Sequence, residues 1–356
     1  MNDMDELLRG MDEPAAKGLT LSGEQLPEFV EPIGTPHGTT PLRPRASVRR
    51  TMSIDVHWPE GVTAASHYDG RARDVVTNEA STEPVLLRMA RVAATTESRK
   101  LLSISAEPTP PRLQELVGVR AGGHLRAALE NSVPLEKAAG TPLYLLLDDL
   151  AGATLVSAWA MSLWREDWLK IVRRSDDKFP VMQGICIGFR PGSSALDDEG
   201  RSRRDQNVSK VVPLPNPADP LGWHEMPDYP QVNFRRARRI DVWREGGELK
   251  VESHFQDSAR APDGGRRAVH EYMIHATIDV ENRLKELTAV PGTLPYASCR
   301  SAPANLEVLL GTPVSELRDK VLEQLKFTAG CTHLNDMVRS LAEVPILARD
   351  LPPNGG

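Results

Sequence analysis

The chain has few cysteines, few aromatics and no long uninterrupted apolar run. Three cysteines in 356 residues is too few for a disulfide scaffold, and an odd count leaves at least one thiol unpaired. That usage fits a reducing compartment, and with an acidic N-terminus lacking an apolar signal core it predicts a cytoplasmic protein. No apolar run reaches the roughly 18 residues that a membrane span needs. The most apolar stretch, residues 143–163, is interrupted by Asp148, Asp149 and Gly152 and reads as buried core. There is no Gly-rich dinucleotide loop and no phosphate loop: residues 118–123 (GVRAGG) have the wrong spacing and do not follow a strand. There is also no CxxC pair, no HxxxH and no serine elbow. The net charge of -6 speaks against generic nucleic-acid binding, which uses a basic face.

What is present is a repeated order of landmarks. Arg49 to Val56 (RRTMSIDV) is answered by Arg235 to Val242 (RRARRIDV). Leu102 to Pro108 is answered by Leu287 to Pro291, Leu113 to Gly118 by Leu306 to Gly311, and Leu125-Arg126 by Leu317-Arg318. Leu147-Asp148-Asp149-Leu150 is answered by Leu334-Asn335-Asp336-Met337. In each half, period-two segments come first and helical spacing follows, which predicts α+β with a mainly antiparallel sheet. The expected architecture is two tandem copies of a sheet-plus-helices unit packed as a pseudo-dimer, with a cleft between them as the ligand site.

The expected divisions are residues 1–45 as a Pro-rich flexible arm or surface strap, 46–190 as a degenerate first repeat, 191–232 as a long connection, and 233–356 as the second repeat carrying the site. Leu26, Phe29, Val30 and Ile33 are the anchors a strap would use. The basic stretches 43–50 and 235–239 read as solvated, alternating strand faces. Residues 181–189 (VMQGICIGF) read as a buried strand, and residues 152–174 as helical.

The segment Gly330-Cys331-Thr332-His333-Leu334-Asn335-Asp336, preceded by Cys299 and by His270-Glu271-Tyr272, resembles bacterial domain-of-unknown-function family 2889, which carries a late GCTHL motif. The resemblance covers residues 235–345. Residues 69–74 (DGRARD) and 301–306 (SAPANL) resemble a long form of that family with two repeats. It implies a bacterial protein, and members of the family accompany breakdown of aromatic compounds.

The reactive groups fall in the second half. Cys331 and His333 lie at the start of the last helix, and Asp336 follows one turn later. With Asp149 set against Asp336, the first half has Tyr144 and Leu146 where the second has Cys331 and His333. His270 and Tyr272 share a strand face, and Asp257 precedes them as the counterpart of Asp74. These residues predict proton-transfer chemistry: His270 and His333 move protons, Asp257 and Asp336 orient them, and Arg73, Tyr144, Tyr272 and Asn335 contact substrate. The expected function is a cofactor-independent enzyme of aromatic-compound catabolism. One concrete form is a carbon-carbon lyase releasing formaldehyde from a lignin-type phenolic dimer. Two alternatives stay open: a non-catalytic ligand-binding or assembly module using the cleft, and a zinc-dependent hydrolase. No metal or cofactor is expected; a metal, if bound, would draw on Cys299, Cys331 and His333. The expected partner is a small-molecule substrate, with neither nucleic acid nor membrane, and a homo-oligomer is compatible.

Overall fold

The strands of both halves join one antiparallel sheet. In the computed structural model, which describes residues 34–174, 181–203 and 206–353, nine strands are found. They are β1 Ser47–His57, β2 Ser66–Thr77, β3 Pro84–Glu97, β4 Lys100–Glu107, β5 Ser209–Val211, β6 Asn233–Glu245, β7 Glu248–Arg260, β8 Arg266–Ile278 and β9 Leu284–Pro291. Their order is β4-β3-β2-β1-β6-β7-β8-β5, with β9 also on β8. Among the described residues there are seven α-helices. They are α1 Gly123–Ser132, α2 Pro134–Ala138, α3 Pro142–Val156, α4 Arg165–Arg174, α5 Leu317–Gln324, α6 Thr332–Ser340 and α7 Val344–Leu347. The chain is thus α+β, with a large antiparallel sheet.

The halves meet at β1 and β6, which pair antiparallel with Met52 opposite Arg238. The β6–β7 hairpin turns at Gly246 and Gly247, whose φ of 59° and 85° suit a primed two-residue turn. One sheet face carries the apolar cores, with Arg50, Arg236 and Arg238 buried among them. Met52, Ile54 and Val56 on β1 share a buried cluster with Leu143, Leu146 and Leu150 of α3. Ile240, Phe255 and Tyr272 share a second with Leu317, Leu334 and Met337. The stretch Pro142–Leu163 is apolar and long enough for a membrane span, but its most apolar window is 78% buried inside the protein; it is a core element here.

The other face is polar and is also covered. Residues 34–45 and the connection after β5 lie over it. Arg43 makes a bidentate pair with Asp219, Trp223 Nε1 donates to Thr40 Oγ1 at 2.9 Å, and His224 bonds Thr51 and Ser53. The connection is therefore a packed cover. Residues 1–33, with the anchors Leu26, Phe29, Val30 and Ile33, lie outside the described residues.

Three expectations are corrected. The basic stretches are not solvated: Arg49, Arg50, Arg236, Arg238 and Arg239 are each at most 2% exposed. Both faces of β1 and β6 are covered, and every one of these guanidiniums has a carboxylate partner. Residues 181–189 are not a strand but a bridge at Val181 and a 3-10 turn at Ile187–Phe189, since Gly184 takes a φ of 89°. The apolar helical stretch starts earlier than residue 152 and breaks: α3 gives way to a 3-10 segment, Ser157–Leu163, before α4.

Candidate functional site

The site is built where the N-terminus of α6 meets the inner face of β7 and β8. Asp257 on β7 sits opposite His270 on β8, just before a register shift at Asp257/Ser258. Such a bulge re-aims side chains locally. His333 comes down from the first turn of α6. Its ring stacks on that of His270, with centroids 3.6 Å apart and planes 18° from parallel. Asp257 Oδ2 lies 3.5 Å from His270 Nδ1 and 3.6 Å from His333 Nε2. Two imidazoles thus face one carboxylate oxygen, beyond ordinary hydrogen-bond length, and each histidine side chain keeps 13% exposure.

Asp257 is fixed from behind. Arg236 of β6 donates from Nε and Nη2 to its two oxygens at 2.9 and 2.8 Å. Burial alone would raise the Asp257 carboxyl, but the Arg236 guanidinium and His270 hold it well below the usual range. Arg236 in turn needs Gly152: a Cβ there would lie 1.7 Å from Arg236 Nη1. Burial lowers His270 despite Asp257. Burial and then the neighbouring His270 lower His333 well below its ordinary value. Both imidazoles are therefore neutral at neutral pH beside an ionised carboxylate. A neutral imidazole backed by a carboxylate is a general base, with the carboxylate stabilising the imidazolium it becomes.

Asp257, His270 and His333 offer ligand atoms within 4.8 Å of one another, the group that could hold a metal. Two features work against it. Near-parallel stacked rings send their in-plane lone pairs along parallel lines rather than to one point, and the buried Arg236 charge already neutralises the carboxylate.

Other expected residues lie elsewhere. Asp336 is tied to Arg126 at 2.8 Å and Arg339 at 3.1 Å, and its carbonyl accepts from Arg238. It belongs to a buried ion network with Asp148 and Asp149, one remove from His333. Asn335 Nδ2 donates to Leu325 O at 2.9 Å and braces the turn before α6. Tyr272 is fully buried and donates to Cys299 O at 3.3 Å. Tyr144 lies under the Arg318 guanidinium at 4.8 Å. Arg73 does not pair with Asp74: it points to the polar face and donates to the carbonyls of Leu221 and Trp223, because neighbours on a strand face opposite ways. Asp74 pairs with Arg50 instead. Of the alternative metal set, Cys331 Sγ lies 4.0 Å from His333 Nδ1. Arg236 is the residue sequence reasoning missed; Asp257 directly opposite it on the hairpin was the available signal.

A cavity of about 380 Å³ lies away from this cluster, lined by Arg244, Leu249, Asn282 and Arg349 among others. It shares no residue with the histidine site.

Residues 234–347 match the family model described as "Protein of unknown function (DUF2889)". The match takes in Arg236, Asp257, His270 and His333. The chain matches no curated protein and no solved structure.

Proposed function

We propose that this DUF2889 domain is the catalytic copy of a two-copy pseudo-dimer, and that it is a cofactor-independent acid-base lyase acting on small aromatic compounds. The observation that carries the reading is the Asp257–His270–His333 cluster: two neutral imidazoles on one ionised carboxylate, buried but not sealed.

The two-copy arrangement is supported by four correspondences. Arg50 pairs with Asp74 as Arg236 pairs with Asp257. The β2–β3 register shifts directly after Asp74, as β7–β8 does after Asp257. Opposite Asp74 stands Arg88, where His270 stands opposite Asp257. At β1–β6, Met52 faces Arg238, its own counterpart in the sequence repeat. In the first copy Arg88 satisfies Asp74 as a plain ion pair. In the second a titratable imidazole replaces it, and only that copy can exchange a proton at neutral pH.

His270 Nδ1 faces the carboxylate, so Nε2 is the nitrogen turned away from it and the one that meets substrate. A concrete substrate is a phenolic dimer in which the carbon carrying a hydroxymethyl group is bonded to a second carbon that bears an ether oxygen. His270 takes the hydroxyl proton. The carbon-carbon bond to the hydroxymethyl carbon breaks and releases formaldehyde. Its electron pair becomes a new C=C bond and expels the ether oxygen, which the His270 imidazolium protonates. Asp257 balances the transient charge, and His333 stacks against the reacting ring.

The test is formaldehyde release from such dimers by the purified full chain without added cofactor. His270→Ala is expected to lower kcat/KM by at least the about 100-fold typical of losing a positioned acid-base group, and His333→Ala to lower it through the lost stacking partner, with circular dichroism unchanged in both. Normal turnover in both folded variants would overturn the assignment.

A further inference from the structure

The cavity of about 380 Å³ lies at the opposite end of β7 and β8 from the histidine cluster, and two guanidiniums edge it, Arg244 and Arg349. We propose that it binds a small carboxylic acid, with the carboxylate on the two arginines and an apolar body against the floor.

Three chain segments build it: the β6–β7 turn, the β8–β9 turn, and the residues at and after α7. Leu249 and Ala348, 6% and 5% exposed, belong to the second apolar cluster and make the floor. At the mouth, Gly247 has nothing within 4 Å of where a Cβ would stand. Both arginines are exposed. Among the described residues neither has a carboxylate partner; Arg244 Nη2 donates to Ala348 O at 3.4 Å. Two nearby acids are already engaged: Glu248 holds Lys285 at 2.6 Å and Lys250 at 3.5 Å, and Asp350 holds Arg88 at 2.6 Å. Asp279, the carboxylate on the wall, accepts through Oδ1 from the backbone N–H groups of Glu281 and Arg283 at 2.9 and 2.8 Å. It is thereby tied into its own turn, and the wall carries two positive charges against one negative.

The first half does not repeat this arrangement. Carrying the sequence repeat two residues past Val56 and Val242 sets Trp58 against Arg244. Trp58 is 7% exposed within the first apolar cluster and donates from Nε1 to Ser66 Oγ at 2.8 Å. One half thus fills with an indole the position that the other edges with a cation. The chemistry of the set selects its ligand. Guanidiniums bind carboxylates through paired, charge-assisted hydrogen bonds. A volume of about 380 Å³ suits a small molecule, and pockets of that class combine an apolar lining with a few polar groups that fix orientation. A monoanion with an apolar body uses both the arginines and the floor. A phosphate dianion would leave the floor uncovered and set a second negative charge near Asp279.

Benzoate is the probe, a carboxylate on a flat apolar body, followed by titration calorimetry of the full chain. Binding is expected to saturate at one molecule per chain. Arg244→Gln and Arg349→Gln, both at exposed positions, are each expected to weaken it at least about tenfold, the loss of one charge-assisted contact. Benzyl alcohol, the same body without the charge, is expected to bind at least about tenfold more weakly. Inorganic phosphate, a charge without the body, is expected to bind more weakly than benzoate. His270→Ala is expected to leave benzoate binding unchanged. No saturation of the unmodified chain up to about 10 mM overturns the proposal, as does binding that either glutamine variant leaves intact. Phosphate or benzyl alcohol binding as tightly as benzoate would overturn the ligand class and the proposal with it. Loss of benzoate binding in His270→Ala would place the acid at the histidine cluster and also overturn it. None of these readouts depends on turnover, so a failed lyase assay leaves this site standing, and a failed titration leaves the lyase reading standing.

Discussion

At the scale of single residues, burial decides the protonation of the site and so the sign of its pH dependence. His270 and His333 are lowered in the folded chain, and His224 is lowered to about 3, all by burial first. Below the ordinary histidine value of about 6.5 the unfolded chain binds protons that the folded chain refuses. Their contribution is therefore fully present above that pH and is lost as pH falls, with each histidine adding up to about 1.4 kcal/mol per pH unit. Asp257 is depressed, so its own contribution is lost only further down, below about 3.9. Urea unfolding followed from pH 7 to pH 4.5 is expected to show falling stability. His333→Gln is expected to make that fall shallower by close to one proton. An unchanged slope would mean that His333 is charged in the folded state. By the same reasoning the acid limb of kcat/KM lies below about 6.5; a limb at or above that value would exclude His270 as the base. His333 was legible because the first half has Leu146 at the answering position, Asp257 because Asp74 answers it, and His270 because an imidazole is uncommon on a strand face. Their stacking was not, because it depends on how α6 lands on the sheet, which no local pattern encodes. Arg73 was misplaced for a related reason: its neighbour in sequence, Asp74, lies on the opposite face.

At the scale of elements, the helices are seated by buried ion pairs as much as by apolar packing. Arg238 of β6 donates from Nη2 to Asp149 of α3 at 2.6 Å and from Nη1 to Asp336 O of α6 at 2.9 Å. Arg126, Arg318 and Arg339 surround Asp148. Arg50 and Arg318 both reach Glu343, which follows α6. Pairs of this kind contribute little over an apolar substitute, but losing one partner strands a buried charge at a cost of about 3–5 kcal/mol. Asp149→Ala is therefore expected to destabilise by that amount, read as the shift in unfolding midpoint; a loss under 1 kcal/mol would mean that Arg238 finds water. Gly152→Ala tests the seat of Arg236 directly, since its methyl would overlap Nη1. Overpacking of this sort costs about 1–3 kcal/mol, and here it must also loosen Asp257, so the acid limb of activity should shift. Loss of stability with an unmoved limb would separate Gly152 from the site. The sequence showed the strands well, because alternation and the Gly246-Gly247 turn are local signals. It misjudged their basic faces because an alternating Arg strand looks solvated until its covers are known. Those covers, residues 34–45 and the connection, have no periodicity that reveals them.

At the scale of the whole molecule, the halves are not separable bodies. β1 and β6 pair along their length from Ser47↔Trp243 to His57↔Asn233, and Arg49 of one half binds Asp241 of the other at 2.5 Å. Arg235 binds Asp55 in the reverse sense at 2.7 Å. The seat of Asp257 also crosses the boundary, through Arg236 against Gly152. The match to residues 234–347 therefore marks a unit of sequence, whereas the unit of folding includes β1, α3 and the covers. Cutting at residue 233 would uncover the edge of β6 that pairs with β1, and would strip Arg238 of Asp149 and Asp241 of Arg49. Re-pairing β6 with a second copy of itself in the register of β1 would set Arg238 against Arg238 at the axis, a like-charge contact with no Asp149 to offset it. The fragment 233–356 is thus expected to be neither a folded monomer nor a stable dimer, whereas the full chain should unfold in one cooperative transition with calorimetric and van't Hoff enthalpies equal. Two resolved transitions in the full chain, or a fragment with dispersed amide resonances, would mean that the second half carries its own fold. The histidine site could then be transplanted without the first half. If the single transition holds, the first half is needed for the histidine site, because Gly152 and Asp149 seat Arg236 and Arg238 of β6.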